Sequence, residues 1–190
     1  MLFRSLGLLD AQPGDRVADL FCGLGNFTLP LATQAREVVG IEGSTALTTR
    51  ALENARANGL SDNTSFSTRN LFEITKEDLI ALGKFDRMLI DPPRDGAVAL
   101  ATALAELRLT HPQLLPKRIV YVSCGPATLA RDTGILTHRA GYKLSKAGVA
   151  NMFPHTSHVE SIGVFDLVED FVPQEFLAPE VRLEQGGQEA

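Results

Sequence analysis

The sequence predicts an α/β protein built on a mostly parallel, doubly wound sheet with helices on both faces. Short runs of apolar and β-branched residues alternate along the chain with segments whose apolar residues recur at helical spacing. Glycine or proline ends several of these runs, as expected for short buried strands. The last two apolar runs have no helical segment between them, which predicts an antiparallel hairpin at one edge of the sheet.

The first half of the chain alternates strand and helix. Residues 17–22 form an apolar run that ends at glycine, and we predict further strands over 37–42 and 64–68. A helix is predicted over 26–36 from the spacing of its apolar residues. A second helix, rich in alanine and leucine, is predicted over 45–58, where Asn58-Gly59 is a stop signal.

The second half repeats the alternation and then changes to a hairpin. Strands are predicted over 85–90, which Asp91-Pro92-Pro93 stops, and over 118–123. Helices are predicted over 98–107 and over 127–140, where Gly141 ends the helix. The hairpin comprises 142–149 and 161–168. We expect a catalytic domain over 1–168 and a partly disordered tail over 169–190.

Composition excludes several classes of protein. The 190 residues carry 18 Lys and Arg against 23 Asp and Glu, a formal net charge of −5, with 44% hydrophobic residues, which excludes a disordered chain. No apolar run is long enough to span a bilayer, and the N-terminus does not resemble a signal peptide. The two cysteines cannot form a disulfide framework or by themselves hold a zinc or iron–sulfur site, so we expect a reduced, cytoplasmic protein. The acidic balance argues weakly against nucleic-acid binding.

A glycine-rich turn follows the first strand. Gly23 and Gly25 would let the backbone approach a ligand, and Glu42, at the end of the second strand, could bond a ribose diol. The third glycine of a dinucleotide fingerprint is replaced by Thr28. A tight turn without a ligand is the alternative.

Two further polar residues follow neighbouring strands. Asn70 follows the third strand and Asp91 the fourth, at the edge where open α/β sheets bind ligands. The sequence thus has four candidate ligand contacts on successive strand ends but lacks the third glycine of the dinucleotide fingerprint. This combination suits S-adenosylmethionine better than NAD.

Cys124 ends the fifth strand, just before a predicted helix. A thiolate is stabilised near a helix N-terminus, which would make this cysteine a nucleophile; the alternative is a small buried apolar residue. Cys22 also ends a strand, but we expect it to point into the glycine turn and to have a packing role.

Residues 151–160 combine two histidines and a glutamate. His155, His158 and Glu160 could form a metal site, but their spacing matches no strong zinc motif. Glu160 acting as a general base beside a nucleophilic cysteine is the better interpretation, and a solvated edge loop is the alternative.

Four sequence blocks together carry a resemblance to a known family. They are Asp19-Leu20-Phe21-Cys22-Gly23-Leu24-Gly25-Asn26-Phe27-Thr28-Leu29-Pro30-Leu31-Ala32, Asp91-Pro92-Pro93-Arg94, Val122-Ser123-Cys124-Gly125-Pro126-Ala127-Thr128-Leu129-Ala130-Arg131-Asp132, and Met152-Phe153-Pro154-His155-Thr156 with His158-Val159-Glu160. Over about residues 1–168 the chain resembles the S-adenosylmethionine-dependent RNA uracil-C5 methyltransferases, most closely the type that acts on 23S ribosomal RNA.

The resemblance implies a class I methyltransferase fold with a seven-stranded sheet, and it assigns roles to particular residues. Cys124 would be the nucleophile and Glu160 the base. Asp91 would sit between cofactor and uracil, and other substrate contacts would come from Arg94, Phe153 and His155. The S-adenosylmethionine pocket would comprise Phe21, Gly23, Gly25, Asn26, Glu42, Asn70 and Asp91. No metal and no iron–sulfur cluster is expected in this chain.

The chain departs from the family pattern at two positions: Gly125 stands where asparagine is usual, and Asn151 where aspartate is usual. The N-terminal RNA-binding barrel, the intervening domain, the iron–sulfur cysteines and a cofactor-binding glutamine of the 23S type lie outside this chain. The substrate would be 23S ribosomal RNA, gripped mainly by those absent domains, which would explain the acidic charge.

Two other functions remain open. One is a class I methyltransferase acting on a different nucleophile, although amine methylation normally has an aromatic residue where Arg94 stands. The other is a fragment that binds S-adenosylmethionine but is inactive without its RNA-binding domain.

Overall fold

The computed structural model of the chain describes residues 2–150 and 160–171, apart from the side chain of Ala150. Its centre is a seven-stranded sheet in the order β3-β2-β1-β4-β5-β7-β6. The first five strands pair in parallel, and β7 runs antiparallel to both β5 and β6. The predicted α/β class and the antiparallel edge hairpin are therefore confirmed.

The elements lie close to their predicted positions. The strands are β1 (Arg16–Leu20), β2 (Glu37–Glu42), β3 (Thr64–Thr68), β4 (Arg87–Ile90), β5 (Arg118–Ser123), β6 (Tyr142–Ala150) and β7 (Glu160–Leu167). The helices are α1 (Leu2–Leu9), α2 (Thr28–Ala32), α3 (Thr45–Ala57), α4 (Lys76–Leu82), α5 (Val98–Thr110) and α6 (Pro126–His138), with a 3-10 turn at Pro112–Leu114.

The largest differences concern three helices. The helix predicted over 26–36 is only α2, five residues long, and no side chain caps its first turn. Two helices were not predicted from the sequence. One is α1, and the other is α4, which begins with a capping box in which Thr75 and Asp78 bond each other's backbone N–H groups.

Boundaries of other elements also shift, by up to three residues in the cases below. The first strand ends at Leu20 rather than at residue 22, because Phe21 has a positive φ of 63° and leaves the extended conformation. The fourth strand begins at Arg87 rather than at residue 85, and α5 continues to Thr110 instead of ending at residue 107.

The core forms two layers because alternate strand residues face opposite sides of the sheet. Ala18, Ile90 and Tyr121 pack in one layer with α4, α5 and α6. Val17 and Val120 pack in the other layer with α1 and α2. Among the described helices, none is long and apolar enough to cross a membrane.

The strand order creates a switch point between β1 and β4. From β1 the chain adds β2 and β3 on one side, and it then returns to add β4 and β5 on the other side of β1. Ligands of open α/β sheets bind in the crevice at such a point, outside the carboxyl ends of the strands. We call this side the carboxyl edge: the ends of β1 to β5 together with Glu160, where antiparallel β7 begins. The opposite side is the amino edge.

Candidate functional site

The turn after β1 brings the backbone to the carboxyl edge. Gly23 and Gly25 have φ values of 54° and 86°, in the left-handed region that favours glycine. The amide of Asn54 in α3 donates to the carbonyl oxygen of Leu24 at 3.1 Å and holds the turn against that helix. The side chain of Asn26, in the same turn, is exposed.

Glu42, at the end of β2, is fixed by backbone donors. Its Oε2 accepts a hydrogen bond from the N–H of Gly23 at 3.1 Å, and its Oε1 accepts one from the N–H of Ser44 at 3.1 Å. A carboxylate has about four lone-pair sites, so each oxygen keeps capacity to accept a ribose hydroxyl.

A pocket of ≈240 Å³ opens at the switch point. Four predicted cofactor residues line it together with four others: Phe21, Glu42, Gly43, Asn70, Leu71, Phe72, Asp91 and Pro93. The rings of Phe21 and Phe72 meet edge to face, with centroids 5.7 Å apart and planes at 62°. Gly23, Gly25 and Asn26 do not line this pocket, and Gly23 reaches it through its bond to Glu42.

Asp19 is a buried acid beneath the glycine turn. One carboxylate oxygen, Oδ2, accepts a hydrogen bond from the Thr28 hydroxyl at 2.5 Å, whereas Oδ1 is buried without a partner. Burial raises the pKa of Asp19 to about 7. The hydrogen bond from Thr28 lowers this pKa, whereas the charges of Asp91 and Glu42 raise it further.

A second group of carboxylates lies where β4, β5 and β7 meet. Burial raises the pKa of Asp91 to about 6, and the nearby charge of Glu160 adds to the rise. Strands β5 and β7 pair Ser123 with Ser161, and Cys124 and Glu160 are the next residues of the two segments on the carboxyl edge.

The backbone around Cys124 is held by its neighbours. The hydroxyl of Ser123 accepts a hydrogen bond from the N–H of Gly125 at 3.0 Å and donates to the carbonyl of Gly125 at 3.1 Å. Helix α6 begins at Pro126, and Cys124 is half-buried just ahead of it. The fold therefore places the Cys124 thiol, Asp91 and Glu160 at the carboxyl edge, where Asp91 lines the pocket.

The other cysteine has a different environment. Cys22 is buried with 4% of its surface exposed, and burial together with the charge of Asp19 raises its thiol pKa well above the usual value. A thiol that stays protonated is a poor nucleophile, consistent with a packing role.

Part of the predicted site lies outside the described residues. Phe153 and His155 belong to that segment, as do Asn151 and His158 of the alternative interpretations. Arg94 is exposed in the β4–α5 loop. Within residues 2–150 and 160–171, no group of three or more His, Cys, Asp or Glu residues could hold a metal ion.

Two functional candidates were missed from the sequence. Phe72 stands only two residues after Asn70, and its amide N–H donates to the Asn70 side chain at 3.1 Å. Asp19 stands between apolar residues inside β1, and an acid at such a position was the available signal.

Comparison with known proteins gives concordant results. A model of the family described as tRNA (Uracil-5-)-methyltransferase matches residues 1–167. The chain is 68% identical over 169 residues to the 23S rRNA (uracil(1939)-C(5))-methyltransferase RlmD of Ralstonia pickettii, covering 87% of this chain and 38% of that protein. The enzyme of the same name from Ralstonia nicotianae is 64% identical over 169 residues.

A solved structure shows the same fold. The Pyrococcus abyssi tRNA (uracil-54, C5)-methyltransferase in complex with S-adenosyl-L-homocysteine matches with a TM-score of 0.69 and 28% identity, over 86% of this chain and 36% of that one. The chain thus spans less than half the length of these relatives.

Proposed function

The chain belongs to the tRNA (uracil-5-)-methyltransferase family, and from that membership we propose that it methylates uracil C5 in 23S ribosomal RNA, with S-adenosylmethionine as methyl donor. The observation that supports the proposal is the position of Cys124, Glu160 and Asp91 at the carboxyl edge, where Asp91 lines the pocket at the switch point and is influenced by the charge of Glu160. The named substrate of the relatives from Ralstonia supports 23S ribosomal RNA.

The residues of the pocket fit S-adenosylmethionine in shape and charge. Glu42 has free acceptor capacity for a ribose diol, and Phe21 and Phe72 offer aromatic surface for an adenine. The charges of Asp91 and Glu42 both act on Asp19, whose Oδ1 is buried without a partner. A ligand with a sulfonium and an ammonium group would relieve this repulsion, whereas the phosphates of NAD would increase it.

Cys124 would activate the target base. Uracil C5 is a poor nucleophile until the Cys124 thiolate adds to C6, which forms an S–C6 bond and turns the ring into an enolate. S-adenosylmethionine, when bound, supplies the methyl group that C5 of this enolate accepts.

Glu160 would complete the reaction as a general base. It removes the proton from C5, the electron pair re-forms the C5–C6 double bond, and the S–C6 bond breaks to release the Cys124 thiolate. One thiol and one carboxylate suffice for these steps. Asp91, which lines the pocket and is influenced by the charge of Glu160, would sit between the cofactor and the target uracil.

The RNA must present a single base to this site. The target uracil would have to leave any stack to reach Cys124. Arg94, Phe153 and His155 are the residues we expect to contact it. The net charge of −5 suggests that most of the phosphate grip comes from domains of the longer relatives, outside this chain.

The direct test is methyl transfer from labelled S-adenosylmethionine to a 23S ribosomal RNA fragment, with digestion to nucleosides to identify 5-methyluridine. We expect product from the wild-type chain and from Cys22→Ala, and none from Cys124→Ala. Transfer that survives Cys124→Ala would indicate a methyltransferase with another nucleophile. Cofactor binding without transfer, by this chain and by a version with the N-terminal domains of its relatives, would overturn the proposal.

A further inference from the structure

Helix α6 carries a buried acid that the proposed chemistry does not use. Asp132 is 0% exposed and accepts three hydrogen bonds. Its Oδ2 accepts from the backbone N–H of Ala97 at 2.7 Å and from the Tyr121 hydroxyl at 2.7 Å. Its Oδ1 accepts from Nε of Arg131 at 2.8 Å. The carboxylate thus joins the β4–α5 loop, strand β5 and helix α6.

Two neighbouring side chains on the same helix hold the same loop. Nη2 of Arg131 donates to the carbonyl oxygen of Asp95 at 2.8 Å. The Thr128 hydroxyl bonds the carbonyl oxygen of Arg94 at 2.9 Å. We call Thr128, Arg131 and Asp132 the α6 clamp, because together they bond three of the four residues from Arg94 to Ala97.

The loop approaches the helix closely at two glycines, and the one at position 96 also has a backbone conformation that favours glycine. Gly96 has a φ of 76°, and a Cβ there would lie 2.7 Å from Oδ2 of Asp132 and 2.8 Å from Nη2 of Arg131. A Cβ on Gly125, which lies between Cys124 and α6, would lie 2.7 Å from the Thr128 hydroxyl and 3.0 Å from the carbonyl oxygen of Arg94. The loop therefore packs directly on the segment that carries Cys124.

The two segments that the clamp joins carry different parts of the proposed site. The loop begins with Asp91 and contains Arg94, whereas α6 begins two residues after Cys124. The remaining pocket walls at Phe21, Glu42 and Phe72 make none of the clamp's hydrogen bonds. Loosening the clamp should disturb the alignment of Cys124 with the loop more than it disturbs cofactor binding.

We propose that Asp132 is a positioning residue: through the α6 clamp it fixes the loop of Asp91 and Arg94 against Cys124, so that attack and methyl transfer occur in one geometry. The proposal rests on the function proposed above. Small misplacements of reacting groups cost about a hundredfold in rate, so the role should be visible in turnover.

The test compares Asp132→Asn with Asp166→Asn. Asp166 is the control because it also accepts a hydrogen bond from an arginine Nε, that of Arg118 at 2.6 Å, but it lies at the amino edge, where its side chain is 37% exposed. An asparagine at 132 offers one oxygen in place of two, so at least one clamp bond is lost. We expect Asp132→Asn to lower kcat for methyl transfer at least about tenfold and to raise the dissociation constant for S-adenosylmethionine by a much smaller factor, whereas Asp166→Asn should leave both unchanged.

A graded variant separates positioning from general loss of stability. Tyr121→Phe removes one of the two hydrogen bonds to Oδ2 and leaves the carboxylate bonded to Ala97 and Arg131. The fall in kcat should be smaller than for Asp132→Asn. Equal losses of melting temperature and of activity across Asp132→Asn and Asp166→Asn would indicate a purely structural role and overturn the proposal.

A second measurement needs no RNA and stays informative if methyl transfer fails. Hydrogen–deuterium exchange of Asp132→Asn should rise in peptides covering 91–97, which include the Ala97 amide, while peptides of β1 to β3 keep wild-type exchange. Absence of methyl transfer both from the wild-type chain and from its version with the N-terminal domains would defeat the proposed function, and this localised exchange would still support the clamp. Exchange that rises uniformly, or does not rise at 91–97, overturns the clamp.

Discussion

Particular acids at the two edges of the sheet have opposite kinds of charged neighbours. At the amino edge, acids pair with arginines: Asp15 with Arg87 at 3.1 Å, and Asp166 with Arg118 at 2.6 Å. At the carboxyl edge, the charges that act on Asp19 and Asp91 come from other carboxylates, namely Asp91 and Glu42 on the first and Glu160 on the second.

The pKa values follow the same division. Burial alone would raise the pKa of Asp166, but hydrogen bonds from Arg118 and Ser145 hold it below its usual value. Burial and neighbouring acids raise the pKa of Asp19 to about 7 and that of Asp91 to about 6. The ion pairs of the amino edge therefore stabilise the fold, whereas ionising the buried carboxylates of the carboxyl edge destabilises it, and a cationic ligand would offset that destabilisation. Groups with pKa values perturbed in this way are typical of functional sites.

The largest expected effect is a loss of turnover in a variant at one end of β7, and a variant near the other end of the strand is its control. Glu160→Gln should lower turnover at least about a hundredfold and accumulate a covalent adduct with RNA, because the C5 proton can no longer be removed. Asp166→Asn, near the other end of β7, should keep wild-type turnover. Turnover kinetics and denaturing gels would measure both, and rapid release of methylated RNA by Glu160→Gln would exclude it as the base.

The two edges should also respond oppositely to pH. Because the folded-state pKa of Asp19 lies above its usual 3.8, its contribution to stability is present below about pH 4 and is lost as pH rises to about 7. The interval corresponds to about 4 kcal/mol as an upper value. Asp166, with its lowered pKa, contributes stability above pH 3.8 that is lost at lower pH.

The measurement is the free energy of unfolding of the ligand-free chain against pH. Asp19→Asn should flatten the decline between pH 4 and 7, and Asp166→Asn should leave that decline intact and flatten the acid limb. S-adenosylmethionine should raise the melting temperature more at pH 8 than at pH 5, since the carboxylates are then charged. Identical pH profiles for wild type and Asp19→Asn would refute the unpaired state of this acid.

Breaking an ion pair at the amino edge should affect stability alone. Arg87 and Asp15 are each only 15% exposed, so Arg87→Met leaves a largely buried carboxylate and should cost about 2–3 kcal/mol of unfolding free energy. The double variant with Asp15→Asn should recover part of the loss. Denaturant titration measures the cost, and calorimetry should find cofactor affinity unchanged; weaker cofactor binding would contradict the separation of the edges.

The smallest expected effect concerns aromatic residues. Phe72→Ala should weaken S-adenosylmethionine binding by about 1 kcal/mol, about fivefold, because it removes one aromatic wall of the pocket. Phe3→Ala is the matched control, since Phe3 in α1 is 87% exposed and lies away from the pocket. Equal affinity of both variants in calorimetry would remove Phe72 from the cofactor site.

The sequence predicted those pocket residues that are placed by their position at the end of a strand. Strand ends bring Phe21, Glu42, Asn70 and Asp91 to one pocket because the carboxyl ends of parallel strands meet at one edge. Helix α4 could also have been predicted, from the threonine three residues before Asp78.

Other features depend on contacts that a single sequence does not display. The α6 clamp joins residues about 35 positions apart. In the sequence, Asp132 was only the last residue of the block that begins at Val122, and nothing there predicted its contacts. Helix α1 has no acidic first turn and no basic last turn to mark its ends. The roles of Phe153 and His155, and a partly disordered tail over 169–190, remain predictions, although Arg108 bonds the carbonyls of Glu169 and Phe171 at the start of that tail.

The most direct measurement is the mass of the intact protein after incubation with S-adenosylmethionine and a 23S ribosomal RNA fragment that contains 5-fluorouridine. Fluorine at C5 cannot leave as a proton does, so Glu160 has nothing to remove and the S–C6 bond should persist. We expect a mass gain that maps to Cys124, is retained in Cys22→Ala and is absent in Cys124→Ala. An adduct on another residue, or none even in a version extended by the N-terminal domains of its relatives, would contradict uracil-C5 chemistry at this edge.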